Sequence, residues 1–221
     1  MIAENLKTIR KELGERATLV CVSKFHPNEA IMKAYNAGER RFGENRPQEM
    51  LEKATTLPHD IEWHFIGNLQ TNKVKIVVPH AAVIHSMSND RLVDEIEKQA
   101  AKINKVQDVL IELHVAQEES KQGFSPQEAI SLFTPEYIDS HPHIRICGVM
   151  GMATNTENET VIRRDFQEIR DTFETLKKGV FANCDHFREI SMGMSGDWRL
   201  AVEMGSTIVR IGSSIFGARQ Y

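Results

Sequence analysis

Lys24 closes an apolar run, Thr18-Leu-Val-Cys-Val-Ser-Lys24, where a lysine is out of character unless its ammonium has a task or reaches solvent. Partial burial disfavours the charged form, and a neutral amine can attack an aldehyde to give a Schiff base. A strand-end lysine with its stem on apolar surface and its head in water gives the same pattern, so Lys24 alone decides nothing. A second stretch, residues 188–217, carries two Gly/Ser-rich junctions one helix apart. The first reads Ser191-Met192-Gly193-Met194-Ser195-Gly196-Asp197, and the second, after a β-branched run, reads Gly212-Ser213-Ser214. Either alone reads as an ordinary turn. Together they can aim several backbone N–H groups at one anion, as the last two strands of a (β/α)8 barrel do for a phosphate. Arg210 lies beside them, and its apolar neighbours argue against a surface ion pair.

A reactive amine and a phosphate cradle at one site suggest pyridoxal phosphate, or a Schiff-base aldolase acting on a sugar phosphate. A pyridoxal-phosphate site needs a partner for the pyridine nitrogen, commonly Asp or Arg. Arginine only donates and keeps its proton, so Arg210 would leave that nitrogen unprotonated. An unprotonated ring is a weaker electron sink, which suits limited chemistry or plain cofactor holding. Other chemistries find less support. His141-Pro-His143 lacks carboxylate or cysteine companions at zinc-ligand spacing, so no metal is expected. No serine-centred nucleophile elbow is present, and Gly193-Met-Ser195-Gly196 is too short for a nucleotide P-loop.

The elements that must position these residues follow from periodicity. Ile2, Leu6, Ile9 and Leu13 share one face of an opening helix. Strand-like runs occur at residues 18–24, 41–45, 61–67, 82–86, 107–116, 144–150, 186–191 and 207–211. Helical patterns lie between them at 27–37, 46–55, 70–77, 89–103, from 125 onward and at 157–177. Ser195 reads as an N-cap with Asp197 in the first turn of a helix that Gly205 closes. Eight strands alternating with helices, with no hairpin signal, predict a parallel sheet, and eight is the number that closes a barrel. The fold class is α/β: a single (β/α)8 TIM barrel with an extra N-terminal helix, one domain over residues 1–221. If Arg210 points inward, so do Ile208 and Gly212, while Val209 and Ile211 face the helices. Lys24 then shares its face with Val22 and Val20, and both candidates sit at C-terminal strand ends. Residues 117–124 read as a mobile loop.

Composition bounds the partners. The 221 residues carry 27 Lys plus Arg and 31 Asp plus Glu, a net charge of −4 without a long basic run, which argues against nucleic acid and anionic membrane. Cys21, Cys147 and Cys184 are widely spaced and odd in number, as expected for reduced thiols in the cytosol. No apolar segment approaches the ~18 residues of a membrane span. The N-terminus lacks a signal-peptide core, so a cytoplasmic location is expected.

Ser23-Lys24, Gly43-Glu44-Asn45, Trp63-His64-Phe65-Ile66-Gly67 with the following Asn-Leu-Gln70-Thr-Asn72-Lys73, and Ile84-His85-Ser86 occur in that order. Met192 through Asp197, Val209-Arg210-Ile211-Gly212 and Ile215-Phe216-Gly217 follow. In this combination, over nearly the whole chain, the sequence resembles the pyridoxal-phosphate homeostasis protein family. The resemblance implies a barrel like that of alanine racemase and pyridoxal 5′-phosphate held as an aldimine. It implies a role in vitamin B6 homeostasis without established turnover, with apo pyridoxal-phosphate enzymes as further partners. By position, Lys24 would hold the aldehyde and Arg210 would face the pyridine nitrogen. Ser191, Gly193, Gly212 and Ser213 would hold the phosphate, with Met192 and Met194 contributing backbone or packing and Ser195 a further donor. Asn45 and His64 would lie near the ring or its hydroxyl; His64 reads equally as a core histidine satisfied by a backbone carbonyl. Gln70 and Asn72 have no evident cofactor role and can cap the helix after them.

A binding and carrier protein is the leading reading, and an amino-acid racemase is the alternative. Racemisation needs acid/base groups on both faces of the cofactor. Alanine racemase draws one, a tyrosine, from across its dimer, supported by an extra β domain. Here the eighth strand is followed by only about ten residues, and Tyr35, Tyr137 and Tyr221 match no such position. A sugar-phosphate aldolase would use the same lysine without a bound chromophore.

Overall fold

β-branched and apolar runs build the inner wall, and amphipathic helices cover it. The computed structural model describes residues 1–118 and 122–217. Its strands are β1 (Thr18–Val22), β2 (Arg41–Glu44), β3 (Glu62–Phe65), β4 (Ala81–Met87), β5 (Gln107–Leu113), β6 (Ile144–Gly151), β7 (Glu189–Ser191) and β8 (Ile208–Ile211). They close in sequence order into a parallel barrel. Closure is made by β1 against β8, with Val20 opposite Arg210 and Cys21 opposite Ile211.

The helices are α1 (Ile2–Leu13), α2 (Asn28–Asn36), α3 (Pro47–Thr56), α4 (Val74–Val77), α5 (Asp90–Lys102), α6 (Pro126–Leu132), α7 (Pro135–Asp139), α8 (Glu159–Lys178), α9 (Trp198–Glu203) and α10 (Ser213–Phe216). The opening helix is the expected addition to the barrel. Leu6, Ile9 and Leu13 bury its inner stripe, and Asn5 donates to Ile215 O across the closing seam. Asn89 caps α5 by accepting from Leu92 N–H, and Ser125 with Glu128 forms a capping box on α6. The expected helix at 70–77 is instead a 3-10 turn, Thr71–Lys73, running into α4. α7 carries too few residues to show a helical period in the sequence. Of the loop at 117–124, residues 119–121 lie outside the described residues.

The core has two parts. Between sheet and helices lies a large cluster that includes Cys21, Val209 and Ile211, and a small one of Leu110, Cys147 and Met150 lines the barrel itself. Val209 and Ile211 thus face outward, and Arg210 between them faces in, as alternation requires. Each fully buried Leu, Ile or Phe contributes about 1.5–3 kcal/mol.

Gly148 is where the wall bends. The register between β5 and β6 shifts there, and its φ of 153° belongs to the region that favours glycine. A Cβ at this position would lie 1.8 Å from Glu189 O on β7. Gly148→Ala is expected to cost about 3–5 kcal/mol, or to prevent folding, measured as a fall in the urea midpoint.

Candidate functional site

Arg210 sits inside the barrel, 4 % exposed, and reaches across β7 to β6. Its Nη1 donates to Ser191 O at 2.7 Å and to Ser191 Oγ at 2.5 Å, and its Nη2 donates to Gly151 O at 3.1 Å. A guanidinium has five donors; these bonds use three, leaving two without an acceptor among the described residues. Burial pulls its pKa down to about 10, against the fields of Asp197 and Glu112, neither of which bonds to it. A buried cation with no carboxylate partner among the described residues is costly, and unspent donors on it mark a place for an electronegative group.

The two small-residue junctions meet beside it. Gly193, at φ 93°, packs so closely on α9 that a Cβ would lie 2.5 Å from Ala201 Cβ, and its carbonyl accepts from Arg210 N–H. Asp197 takes the N-cap position expected of Ser195, and its carboxylate accepts from Met194 N–H at 2.6 Å. Ser195 Oγ instead accepts the Gly212 N–H at 3.2 Å, tying one junction to the other. The first two N–H groups of α10, Ser213 and Ser214, have no partner within that helix and stay available to a ligand. Met192 is fully buried as packing, while Met194 is 41 % exposed.

Lys24 lies in a turn rather than on the strand. β1 ends at Val22; Ser23 N–H still bonds Gly43 O, but Ser23 O turns back to accept from His26 N–H. Strand alternation therefore does not set the direction of Lys24, contrary to expectation. A buried charge cluster holds its neighbours instead. Lys53 Nζ donates to Ser23 O at 2.9 Å, Glu44 Oε1 at 2.8 Å and Glu49 Oε1 at 2.7 Å. Ser23 Oγ donates to Glu44, and Phe25 N–H donates to Glu49 at 2.7 Å. Phe25, at φ 65°, has a left-handed backbone that these bonds must sustain. The turn also meets the phosphate-loop candidates. A Cβ on Gly212 would lie 3.1 Å from Val22 O, and His26 stacks on Phe216 of α10 at 4.8 Å. Half-buried Lys24 is thus bracketed by two residues that touch the second junction.

Asn45, just past β2, has a buried Oδ1 with no partner among the described residues. His64 points elsewhere. Its Nδ1 stands 2.8 Å from His85 Nε2, and the ring lines a depression of about 500 Å3 at the N-terminal end of the barrel. Glu44, Lys53, His85 and Glu112 escaped the sequence reading. Glu44 and His85 lie within the motifs quoted above. Glu112 follows Lys24's logic, a charged residue in an apolar run, whereas Lys53 looks like any charged residue on a helix. Burial lifts both Glu44 and Glu112 to about 7.

The family described as alanine racemase, N-terminal domain, matches residues 1–220. The pyridoxal phosphate homeostasis protein of Aquifex aeolicus is 44% identical, over 93% of this chain and 88% of its own length. The chain belongs to the pyridoxal phosphate homeostasis protein family. The human family member is 36% identical over 92% of this chain and 77% of its own. The solved structure of PipY from Synechococcus elongatus, with pyridoxal phosphate bound, superposes with a TM-score of 0.88 at 32% identity, covering 98% of this chain and 100% of that one. The alanine racemase of Bartonella henselae shares the fold at a TM-score of 0.77 and 16% identity, covering 99% of this chain and 58% of that one.

Two outcomes follow for the unliganded protein. Lys53→Met strands the buried Glu44 carboxylate and is expected to cost about 3–5 kcal/mol in urea unfolding. Glu112 binds its proton more tightly folded, near pH 7, than at its ordinary value of 4.5. Its contribution is therefore present below pH 4.5 and lost as pH rises through 7. Glu112→Gln should be more stable relative to the parent at pH 8 than at pH 4.5, by on the order of 2–3 kcal/mol; urea melts at the two pH values check this.

Proposed function

We propose that this chain binds pyridoxal 5′-phosphate at the C-terminal mouth of its barrel and serves in cytoplasmic cofactor homeostasis, holding it for apo-enzymes. The observation that carries the reading is Arg210, a buried cation with two unspent donors beside two small-residue junctions and the Lys24 turn. The residues fit the group. Lys24 would hold the aldehyde, Arg210 the ring nitrogen, and Asn45, through its orphaned Oδ1, the ring hydroxyl. The N–H groups of the Gly193–Ser195 and Ser213 segments would hold the phosphate, with Gly212 tied to Ser195 and Ser191 acting through Arg210. When bound, the cofactor supplies an aldehyde that condenses with an amine and a ring that withdraws electrons.

The chain's own residues restrain that chemistry. Arg210 can donate to the ring nitrogen but cannot give up a proton to it, so the ring stays a weak electron sink. The Lys53 cluster fixes the backbone on both sides of Lys24 and so sets where its side chain starts. Tyr35 donates to Asp60 at 2.8 Å, and the Tyr137 hydroxyl is committed to Asp90. Both described tyrosines thus have their hydroxyls paired with surface carboxylates of their own chain.

Mixed with pyridoxal phosphate, the purified protein should turn yellow, and borohydride should fix the cofactor to the peptide carrying Lys24. Lys24→Ala should lose that covalent attachment yet retain weaker binding through the phosphate contacts. Label on another lysine, or an unchanged absorption band in Lys24→Ala, would refute the assignment.

A further inference from the structure

The two peptide planes that flank the Lys24 Cα are held by the same ion pair. Ser23 N–H makes the last ladder bond of β1, to Gly43 O, and α2 begins only at Asn28, so residues 24–27 belong to neither strand nor helix. The plane before the Lys24 Cα carries Ser23 O, which accepts from Lys53 Nζ at 2.9 Å and from His26 N–H at 3.1 Å. The plane after it carries Phe25 N–H, which donates to Glu49 Oε1 at 2.7 Å. Lys53 Nζ and Glu49 Oε1 are themselves paired at 2.7 Å, four residues apart on α3. Holding both planes fixes the two soft dihedrals of Lys24, and with them the direction of its Cα–Cβ bond.

This hold works against a local preference. Phe25, at φ 65°, has a left-handed backbone that an aromatic residue keeps only where its surroundings over-determine it. Its N–H goes to Glu49, and the Arg46 guanidinium lies 4.5 Å over its ring, so α3 and the residue before it grip Phe25 twice. Lys53 has a second task, since it also neutralises the buried Glu44 at the end of β2, 2.8 Å away. Glu49 is less enclosed, with 19% of its side chain exposed, and its bonds go to Phe25 and Lys53. Backbone strain gathers at functional sites, and here it falls on the residue next to the amine.

We propose that Glu49 is a positioning residue for Lys24, setting how strongly the lysine bonds to the cofactor's aldehyde while leaving the ring and phosphate contacts as they are. The inference rests on the cofactor reading above. Before the bond forms, the Lys24 ammonium releases one proton to solvent. The neutral amine then adds to the aldehyde carbon, and a water leaves with the aldehyde oxygen and the two remaining amine hydrogens. With the phosphate already held, this equilibrium depends on how often the amine lies where the aldehyde sits. Without Glu49, the peptide plane after Lys24 is no longer tied to Lys53. The amine then spreads over other directions, and the covalent part of the affinity falls. The ring and phosphate contacts come from Arg210, Asn45 and the two small-residue junctions, none of which Glu49 holds.

Pyridoxine 5′-phosphate, which has an alcohol where pyridoxal phosphate has its aldehyde, separates the two parts of the affinity. Both ligands are titrated by calorimetry into the whole parent chain, Glu49→Ala and Glu49→Gln. Glu49 is varied rather than Lys53 because loss of Lys53 strands Glu44. Glu49→Ala should weaken pyridoxal phosphate about tenfold, the order of the cost of fixing one residue's backbone, and leave pyridoxine 5′-phosphate within about twofold. Glu49→Gln, whose amide oxygen still accepts from Phe25 N–H, should recover most of the loss. Equal losses for both ligands, no loss for either, or no recovery in Glu49→Gln would overturn the proposal. So would a Glu49→Ala chain without a urea transition, since that marks a purely structural role. A parent chain that binds pyridoxal phosphate no more tightly than the alcohol overturns the cofactor reading itself, and the parent titrations alone tell that failure apart.

Discussion

A guanidinium enclosed by a parallel barrel is the constraint to which the rest of the structure answers. Removing a charge from water costs several kcal/mol even after relaxation, and among the described residues Arg210 recovers part of that through hydrogen bonds to Ser191 and the Gly151 carbonyl. A carboxylate in contact would have neutralised it within the protein and left it nothing to offer a ligand. The barrel keeps Asp197 and Glu112 near enough to be felt and too far to bond, so the cation is steadied without being spent. The short β7, the tie between Ser195 and Gly212, and the fit of Gly193 against α9 all serve to hold the groups around this one charge.

A second charged cluster does for β1 what these contacts do for β8. Lys53 spends its three hydrogens on Ser23, Glu44 and Glu49, and so fastens the turn after β1 to the end of β2 and to α3. Its role is positional: it sustains the left-handed Phe25 and leaves Lys24 between two residues that lean on the opposite junction. Because β1 and β8 are neighbours at the closing seam, the turn that carries Lys24 and the strand that carries Arg210, distant in the chain, meet at one side of the barrel. The site is therefore a consequence of closure. An open sheet with the same strands would separate them.

What the sequence disclosed was what short-range physics controls. Alternation on β8 placed Arg210 inside because Val209 and Ile211 on either side belong to the outer core. The same rule failed for Lys24, since the strand stops at Val22 and the turn that follows is shaped by Lys53, 29 residues away in sequence. Ser195 looked like a helix cap because serine before an acidic residue is a local signal, yet its hydroxyl answers to Gly212, which only folding brings near. His64 was weighed as a cofactor contact or a core histidine satisfied by a carbonyl. In the structure its Nδ1 pairs with another buried histidine, which no local pattern encodes, and its Nε2 has no partner among the described residues. Lys53 carries no local mark because its burial is not written in its helical neighbours, whereas Glu112, a charged residue in an apolar run, carries the same local signal as Lys24.

The most direct measurement is a crystal structure of the chain grown with pyridoxal phosphate. If Arg210 is the organising charge, density will run unbroken from Lys24 Nζ to a pyridine ring whose nitrogen meets Arg210, with the phosphate against the Ser195 and Ser213 backbone. A cofactor seated elsewhere, or a ring turned so that Arg210 keeps both donors unspent, would contradict the account.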